Sequence, residues 1–353
     1  MAGVTPTLRV DSESYLSDEA LSERSTRQIT FLSRAGRKPG LLLGIDGAMN
    51  TSYIQRLRQG SLIDLRTLKS RTPWWVKMAG RIAPSRLPCG YNFWHRLGVF
   101  EHGRMEDPSY AFQVFTRHFN KVRATKRPEE IVALELGPGD SLFSAVIASA
   151  VGVSASYLID VGDFAVKDLK KYAEMASFVR RQGLPAPPVE RVTSIGDLLP
   201  LCRATYGSSG LSSLRAIPSR SVDFIWSQAV LQSVRRAELL DTMRELRRVL
   251  KDDGLCSHVV DLSDLFVKEL HHLRFRDSIW ESDAVARCGF YANRLRYSDM
   301  LTVFRRAGFK VTVVAVKRWD EVPIPRRKLV LPFRTMPEEE LRVFGFEVTL
   351  LPA

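Results

Sequence analysis

A carboxylate and two closely spaced glycines meet at Glu135-Leu136-Gly137-Pro138-Gly139-Asp140-Ser141. Glycines in such a turn let the backbone approach a ligand, and the N–H groups that open a following helix favour polar or anionic atoms there. A nicotinamide fingerprint, G-x-G-x-x-G, would need a glycine where Leu142 stands. Asp160 ends a second apolar run, Ala155 to Ile159. A carboxylate at a strand end can accept hydrogen bonds from two neighbouring hydroxyls. Ser227 and Gln228 follow the run Val222 to Trp226, and His258 and Asp261 lie on or just after Leu255 to Leu262. Histidine and carboxylate are the groups that remove a proton from a hydroxyl. Strand alternation sends these two to opposite faces, so at most one is aimed at a ligand, and a buried, satisfied His258 is the competing outcome.

Positioning these residues requires strands that end on one edge. Ile131 to Leu136 is a buried-strand run followed by a helical stretch through Ala150. After Asp160, helical sequence runs from about Phe164 to Gln182. Arg236 to Leu250 is an amphipathic helix closed by Asp253-Gly254, Tyr297 to Ala307 is a helix stopped by Gly308, and Lys310 to Val316 is a strand. Repeated alternation with near-continuous apolar strands predicts a parallel sheet covered on both faces. The last run, Val343 to Leu351, is placed to pair antiparallel with Lys310 to Val316. Ahead of this unit, Asp107 to about Val122 reads as a helix with Pro108 in its first turn.

Taken in order, these pieces resemble class I S-adenosylmethionine-dependent methyltransferases. The family's first motif, E/D-x-G-x-G-x-G, is matched by Glu135, Gly137 and Gly139, with Ser141 in place of the third glycine. Its acidic residue after the second strand is matched by Asp160, its fourth strand by Ser221 to Ser227, and the stretch before its fifth strand by Glu245 to Gly254. The resemblance covers residues 131 to 262. It implies an α/β, Rossmann-like, mostly parallel seven-stranded sheet with helices on both faces and an antiparallel last strand, plus an N-terminal helical extension. It implies S-adenosylmethionine as cofactor, bound by Glu135, Gly137, Gly139, Asp160, Ser227 and Gln228, with Asp160 on the ribose hydroxyls. His258 and Asp261 are the catalytic candidates. The adenine residue is left unassigned between Ser213 and Asp197. His271, His272, Trp280 and Tyr291 fall in an insertion, 263–296, read as part of the acceptor pocket. The tetrapeptide N-P-P-Y or D-P-P-Y of amino-nitrogen methyltransferases is missing after the fourth strand, which favours oxygen in a small-molecule or glycan-type acceptor.

The organisation expected is a mobile tail over 1–30, a basic extension or cap over 31–125 and the methyltransferase domain over 126–353. Charge sets the extension apart. The whole chain carries +13, and residues 31 to 86 hold eleven basic side chains against Asp46 and Asp64, a local balance of +9. Such asymmetry suggests an anionic neighbour. Trp74 and Trp75, between Arg71 and Lys77, suit either the packed core of a helical cap or a membrane interface. Nucleic acid is disfavoured because no recognisable binding module appears, although methylation of RNA is retained as an alternative to small-molecule chemistry, as is a non-catalytic binding or scaffold subunit. The four cysteines form no C-x-x-C pair, and no metal-ligand spacing stands out. With no secretion signal in the acidic first thirty residues, a cytoplasmic protein, peripheral to the inner face of the membrane, is the expectation.

Overall fold

The computed structural model describes residues 75, 76 and 104–353 with the exception of residue 266. Helix α1, Pro108–Arg123, opens where Asp107 accepts the N–H groups of Ser109 and Tyr110 at 2.9 and 3.2 Å. The cap satisfies donors that the first turn leaves free, and Pro108 has none to lose. Phe112, Phe115, Phe119 and Val122 form the buried stripe of α1.

Alternation then begins: β1 Val132–Leu136, α2 Phe143–Ala150, β2 Ala155–Ile159, α3 Leu169–Arg181, α4 Ile195–Leu201 and β3 Ala204–Gly207. The second half supplies α5 Leu211–Arg215, β4 Val222–Gln228, α6 Arg236–Val249 and β5 Leu250–Asp261. Two single-turn helices follow, α7 Asp277–Trp280 and α8 Asp283–Ala286. The chain ends through α9 Tyr297–Arg306, β6 Phe309–Arg318, α10 Glu338–Arg342 and β7 Val343–Pro352. The expected seven-stranded sheet is present, in the order β3-β2-β1-β4-β5-β7-β6. The first five strands run parallel, and β7 is antiparallel to both of its neighbours. Helices α1, α2 and α3 pack together on one face, and α5, α6 and α9 on the other. The parallel strands therefore lie between two apolar layers, which is why they read as near-continuous apolar runs.

Alternation divides the layers. Phe224 and Trp226 meet Phe119 and Phe115 of α1 edge-on, with ring centroids 6.2 and 5.9 Å apart. Leu134, Ile225, Cys256 and Val348 join Met243, Leu246 and Phe304 in the core beneath α6 and α9. Each such side chain taken fully out of water contributes roughly 1.5–3 kcal/mol.

The insertion and the β6–β7 connection build a second, smaller core. Leu270 and Leu273 pack with Ile324, Leu329, Phe333 and Leu341, while Trp280, Cys288, Phe290 and Tyr291 form a neighbouring cluster. No described helix is long and apolar enough to cross a membrane.

Candidate functional site

The parallel strands leave their C-terminal ends along one edge, and the crevice outside that edge is where open α/β sheets bind ligands. Gly137 and Gly139 both take positive φ, +72° and +66°. That turn carries the chain from β1 to α2. A Cβ at Gly137 would lie 2.6 Å from both terminal methyls of Val230, so no other residue fits that position without displacing the loop after β4.

Asp160 follows β2 at the same edge. Its Oδ2 accepts the N–H of Gly139 at 2.9 Å and its Oδ1 the N–H of Val161 at 2.7 Å. The carboxylate thus spans from its own loop to the glycine turn. Further along the edge, Ser213 accepts the N–H of Ser209 at 3.0 Å beside Gly207, where β3 ends. Asp197 instead lies in the first turn of α4, accepting from the hydroxyls of Thr193 and of the cap residue Ser194 at 2.8 and 2.9 Å. Ser213 thus stands beside the end of β3, and the side chain of Asp197 is engaged within the first turn of α4.

Glu135 is placed differently from its expected role. Strand alternation turns its side chain under α2, where it is buried and accepts the hydroxyl of Ser144. Burial, aided by the nearby Asp160 charge and opposed by the Ser144 hydrogen bond, pushes its carboxyl up to about 8. At neutral pH it is a neutral acid that ties β1 to α2, one layer behind the ligand edge.

Ser227 and His258 pair with each other on the α6 face, Oγ to Nδ1 at 2.7 Å, and both are fully buried. Burial pulls His258 down to about 3, with Lys121 adding to the effect. The other ring nitrogen, Nε2, is buried without a partner. Here the satisfied, interior outcome for His258 is the one the geometry gives in large part, and Ser227 is held with it away from the crevice. Asp261 is partly open at the end of β5. Its Oδ1 accepts the N–H and hydroxyl of Ser263 at 2.9 and 2.5 Å, and its Oδ2 pairs with Lys268 at 2.8 Å.

Gln228 sits on the opposite face from Ser227. Trp226 pairs with Glu135 across β4 and β1, so two residues further on Gln228 comes level with Gly137. Its side-chain oxygen accepts Arg117 Nη2 at 2.6 Å and faces His118 Nε2 at 3.3 Å. Arg117 and His118 were not singled out from the sequence. The available signal was a histidine inside the apolar stripe Phe115, Phe119 and Val122 of a helix.

The insertion residues are interior. Trp280 is buried, donates its indole N–H to the carbonyl of Ala292 at 2.7 Å and stacks on Phe275 at 5.4 Å. His272 is buried beside it, its ring held well below the usual histidine range by burial and by Arg296 and Arg294. Tyr291 accepts the N–H of Arg236 at 3.1 Å and donates to Glu281 at 2.8 Å. His271, also buried, faces Glu269 at 3.2 Å. These side chains assemble the insertion and dock it on α6.

S-adenosylmethionine, the cofactor implied by the resemblance, fits this edge. The turn is bare of side chains at Gly137 and Gly139, Asp160 offers carboxylate oxygens to a diol, and Gln228 borders the turn from β4.

Residues 134–257 match a family described as Methyltransferase domain. Among solved structures, an S-adenosylmethionine-dependent methyltransferase from Mesorhizobium loti is 16% identical, with 66% of this chain and 96% of that one covered at a TM-score of 0.36. One from Methanosarcina mazei is 17% identical over 63% of this chain and 93% of that one, TM-score 0.39. One from Aquifex aeolicus is 17% identical over 72% and 94%, TM-score 0.34. No curated protein matches the chain.

Proposed function

We propose that this chain, which contains a class I S-adenosylmethionine-dependent methyltransferase domain, moves a methyl group to an oxygen of a small-molecule or glycan-type acceptor. The observation that carries the reading is the link between the two loops: Gly139 N–H bonded to Asp160 at the C-terminal edge of β1 and β2. When bound, the cofactor supplies an electrophilic methyl on a sulfonium. Gly137 and Gly139 admit it to the backbone, and Asp160 accepts the ribose hydroxyls while the N–H groups of Gly139 and Val161 hold the carboxylate in place.

Transfer is an in-line displacement, so alignment of the acceptor supplies much of the rate. A neutral hydroxyl must also lose its proton. We assign that proton to Asp261, the carboxylate on the open side of β5, with Lys268 and Ser263 fixing its orientation. His258 is too deeply buried to touch an acceptor. The same burial favours a second reading, a binding or scaffold subunit that holds the cofactor without turnover.

Calorimetric titration with S-adenosylmethionine tests the first claim; absence of heat at millimolar ligand would sink it. Transfer of labelled methyl to an acceptor panel separates enzyme from scaffold. Asp261→Asn is expected to lower turnover at unchanged cofactor affinity. The basic extension over 31–86 is proposed to bring a cytoplasmic enzyme to an anionic surface, including the inner face of the membrane. Most of it lies outside the described residues, and Trp75 and Val76 within it are exposed.

A further inference from the structure

A hydrogen-bond chain crosses from α1 to the crevice, and its direction is fixed from the Gln228 end, where an amide oxygen can only accept. Lys121 can only donate, and it does so to Ser257 Oγ at 2.8 Å and to the carboxylate of Glu347. The Ser257 hydroxyl then donates to His118 Nδ1 at 2.7 Å, which leaves the His118 proton on Nε2, facing the Gln228 oxygen at 3.3 Å. Arg117, also a pure donor, reaches the same oxygen at 2.6 Å. Burial first, then the neighbouring Arg117 and Lys121 charges, keep His118 neutral, as this direction needs.

The amide of Gln228 therefore has one orientation. Its oxygen is consumed on the α1 side, and its NH2 group, level with Gly137, has no partner among the described residues. Arg117 beside it is half-buried, its Nε is buried without a partner, and no carboxylate among the described residues neutralises it. Gln228 Nε2 and the Arg117 guanidinium offer donors alone, with a net positive charge. A partly desolvated guanidinium next to a donor pair is suited to an oxyanion.

Resting on the methyltransferase reading, we propose that Arg117 and Gln228 recognise an anionic group of the acceptor, a carboxylate or phosphate monoester, at the end of β4. His118 and Lys121 act as positioning residues that fix the Gln228 amide. The acceptor class is thereby narrowed to anionic small molecules or sugar phosphates, and neutral glycans fall outside it. Arg117 and His118 also lie ahead of the stretch that matches the family, so acceptor choice is set by a helix outside it.

The test uses the full chain with 15N-labelled glutamine side chains, with and without saturating S-adenosylhomocysteine. The Gln228 NH2 pair is assigned by its loss in Gln228→Glu, and inorganic phosphate is titrated to tens of millimolar. The expected result is a saturable shift of that pair in the loaded protein. Arg117→Met should weaken it at least roughly tenfold, the loss of one hydrogen bond to a charged group, and Arg117→Lys by less. Three results would overturn the proposal. The pair does not respond to phosphate; Arg117→Met responds as the unaltered chain does; or S-adenosylhomocysteine alone shifts the pair and phosphate then does nothing, which assigns the donors to the cofactor's own carboxylate. Calorimetry of S-adenosylhomocysteine on the same samples checks that each variant is folded and reports on the cofactor reading separately. If no cofactor binds, that reading fails, and the unliganded titration alone decides the anion site.

Discussion

At the scale of single residues, two carboxyls, one on β1 and one just after its neighbour β2, do opposite work because of where alternation and loop geometry place them. Asp160 faces the crevice and holds the Gly139 N–H. Asp160→Ala is expected to weaken S-adenosylmethionine binding by roughly 1.5–3 kcal/mol, the worth of hydrogen bonds to a charged acceptor, in a chain that stays folded. Unchanged affinity by calorimetry would show that the ribose is held elsewhere. Glu135 faces inward and is protonated, with its carboxyl raised to about 8 from an ordinary 4.5. Between those values the folded chain binds a proton that the unfolded chain has released. Its contribution to stability is therefore full below about pH 4.5, falls as pH rises toward 8, and is level beyond. The slope approaches about 1.4 kcal/mol per pH unit. Glu135→Gln should flatten that part of the stability–pH curve in chemical denaturation, and an unaltered slope would mean the carboxyl is ionised at neutral pH.

Among elements, the insertion and the β6–β7 connection are locked to the sheet by one guanidinium. Arg296 is fully buried, and its nitrogens donate to the carbonyls of Leu262 at 2.9 Å, Glu340 at 3.1 Å, Leu341 at 3.3 Å and Val343. Burial brings it down to about 10, so it remains charged at neutral pH. Arg296→Met strips those carbonyls of their donor and should cost at least about 3 kcal/mol, seen as a lower midpoint in thermal unfolding. Most elements were legible because their signals are local. The runs at β1, β2, β4, β6 and β7 and the helices α1, α6 and α9 came within a few residues of their observed limits. Strand β3 was not, because its four residues, Ala204 to Gly207, carry no apolar run and only Ala204 is buried. Helix α3 begins at Leu169, later than expected, because Asp168 caps it and the preceding loop is tied through Val166 N–H to the carbonyl of Asp140. The break expected at Asp253-Gly254 is instead continuous with β5, whose Leu250 pairs with Val222 ahead of a bulge. The placement of Gly137, Gly139 and Asp160 along the crevice edge was legible from spacing. Arg117 and His118 were not, since their partners lie more than a hundred residues away and no local pattern joins them.

For the whole molecule, the concentration of +9 over residues 31 to 86 makes a prediction about location. Binding to anionic liposomes should exceed binding to neutral ones and fade with salt, since exposed charges act over a Debye length of ~8 Å at physiological ionic strength. Each basic residue near such a surface contributes about 1 kcal/mol, so charge reversal at Arg71, Lys77 and Arg81 should release the protein in a sedimentation assay. Equal binding by that variant would leave the segment without a membrane role. The sheet order carries a consequence for how the chain reaches this form. Among the described residues, strand β6 hydrogen-bonds to β7 and to no other strand, and β7 slots between it and β5. On the ribosome, β6 emerges first and waits unpaired, while β5 presents a raw edge to every other nascent chain in reach. Only when Val343 to Pro352 has cleared the exit tunnel can both be sealed in one step. A chain released at Arg342 would therefore lose the partners of two strands at once, and should be recovered from cells in aggregates rather than as a slightly shorter folded chain.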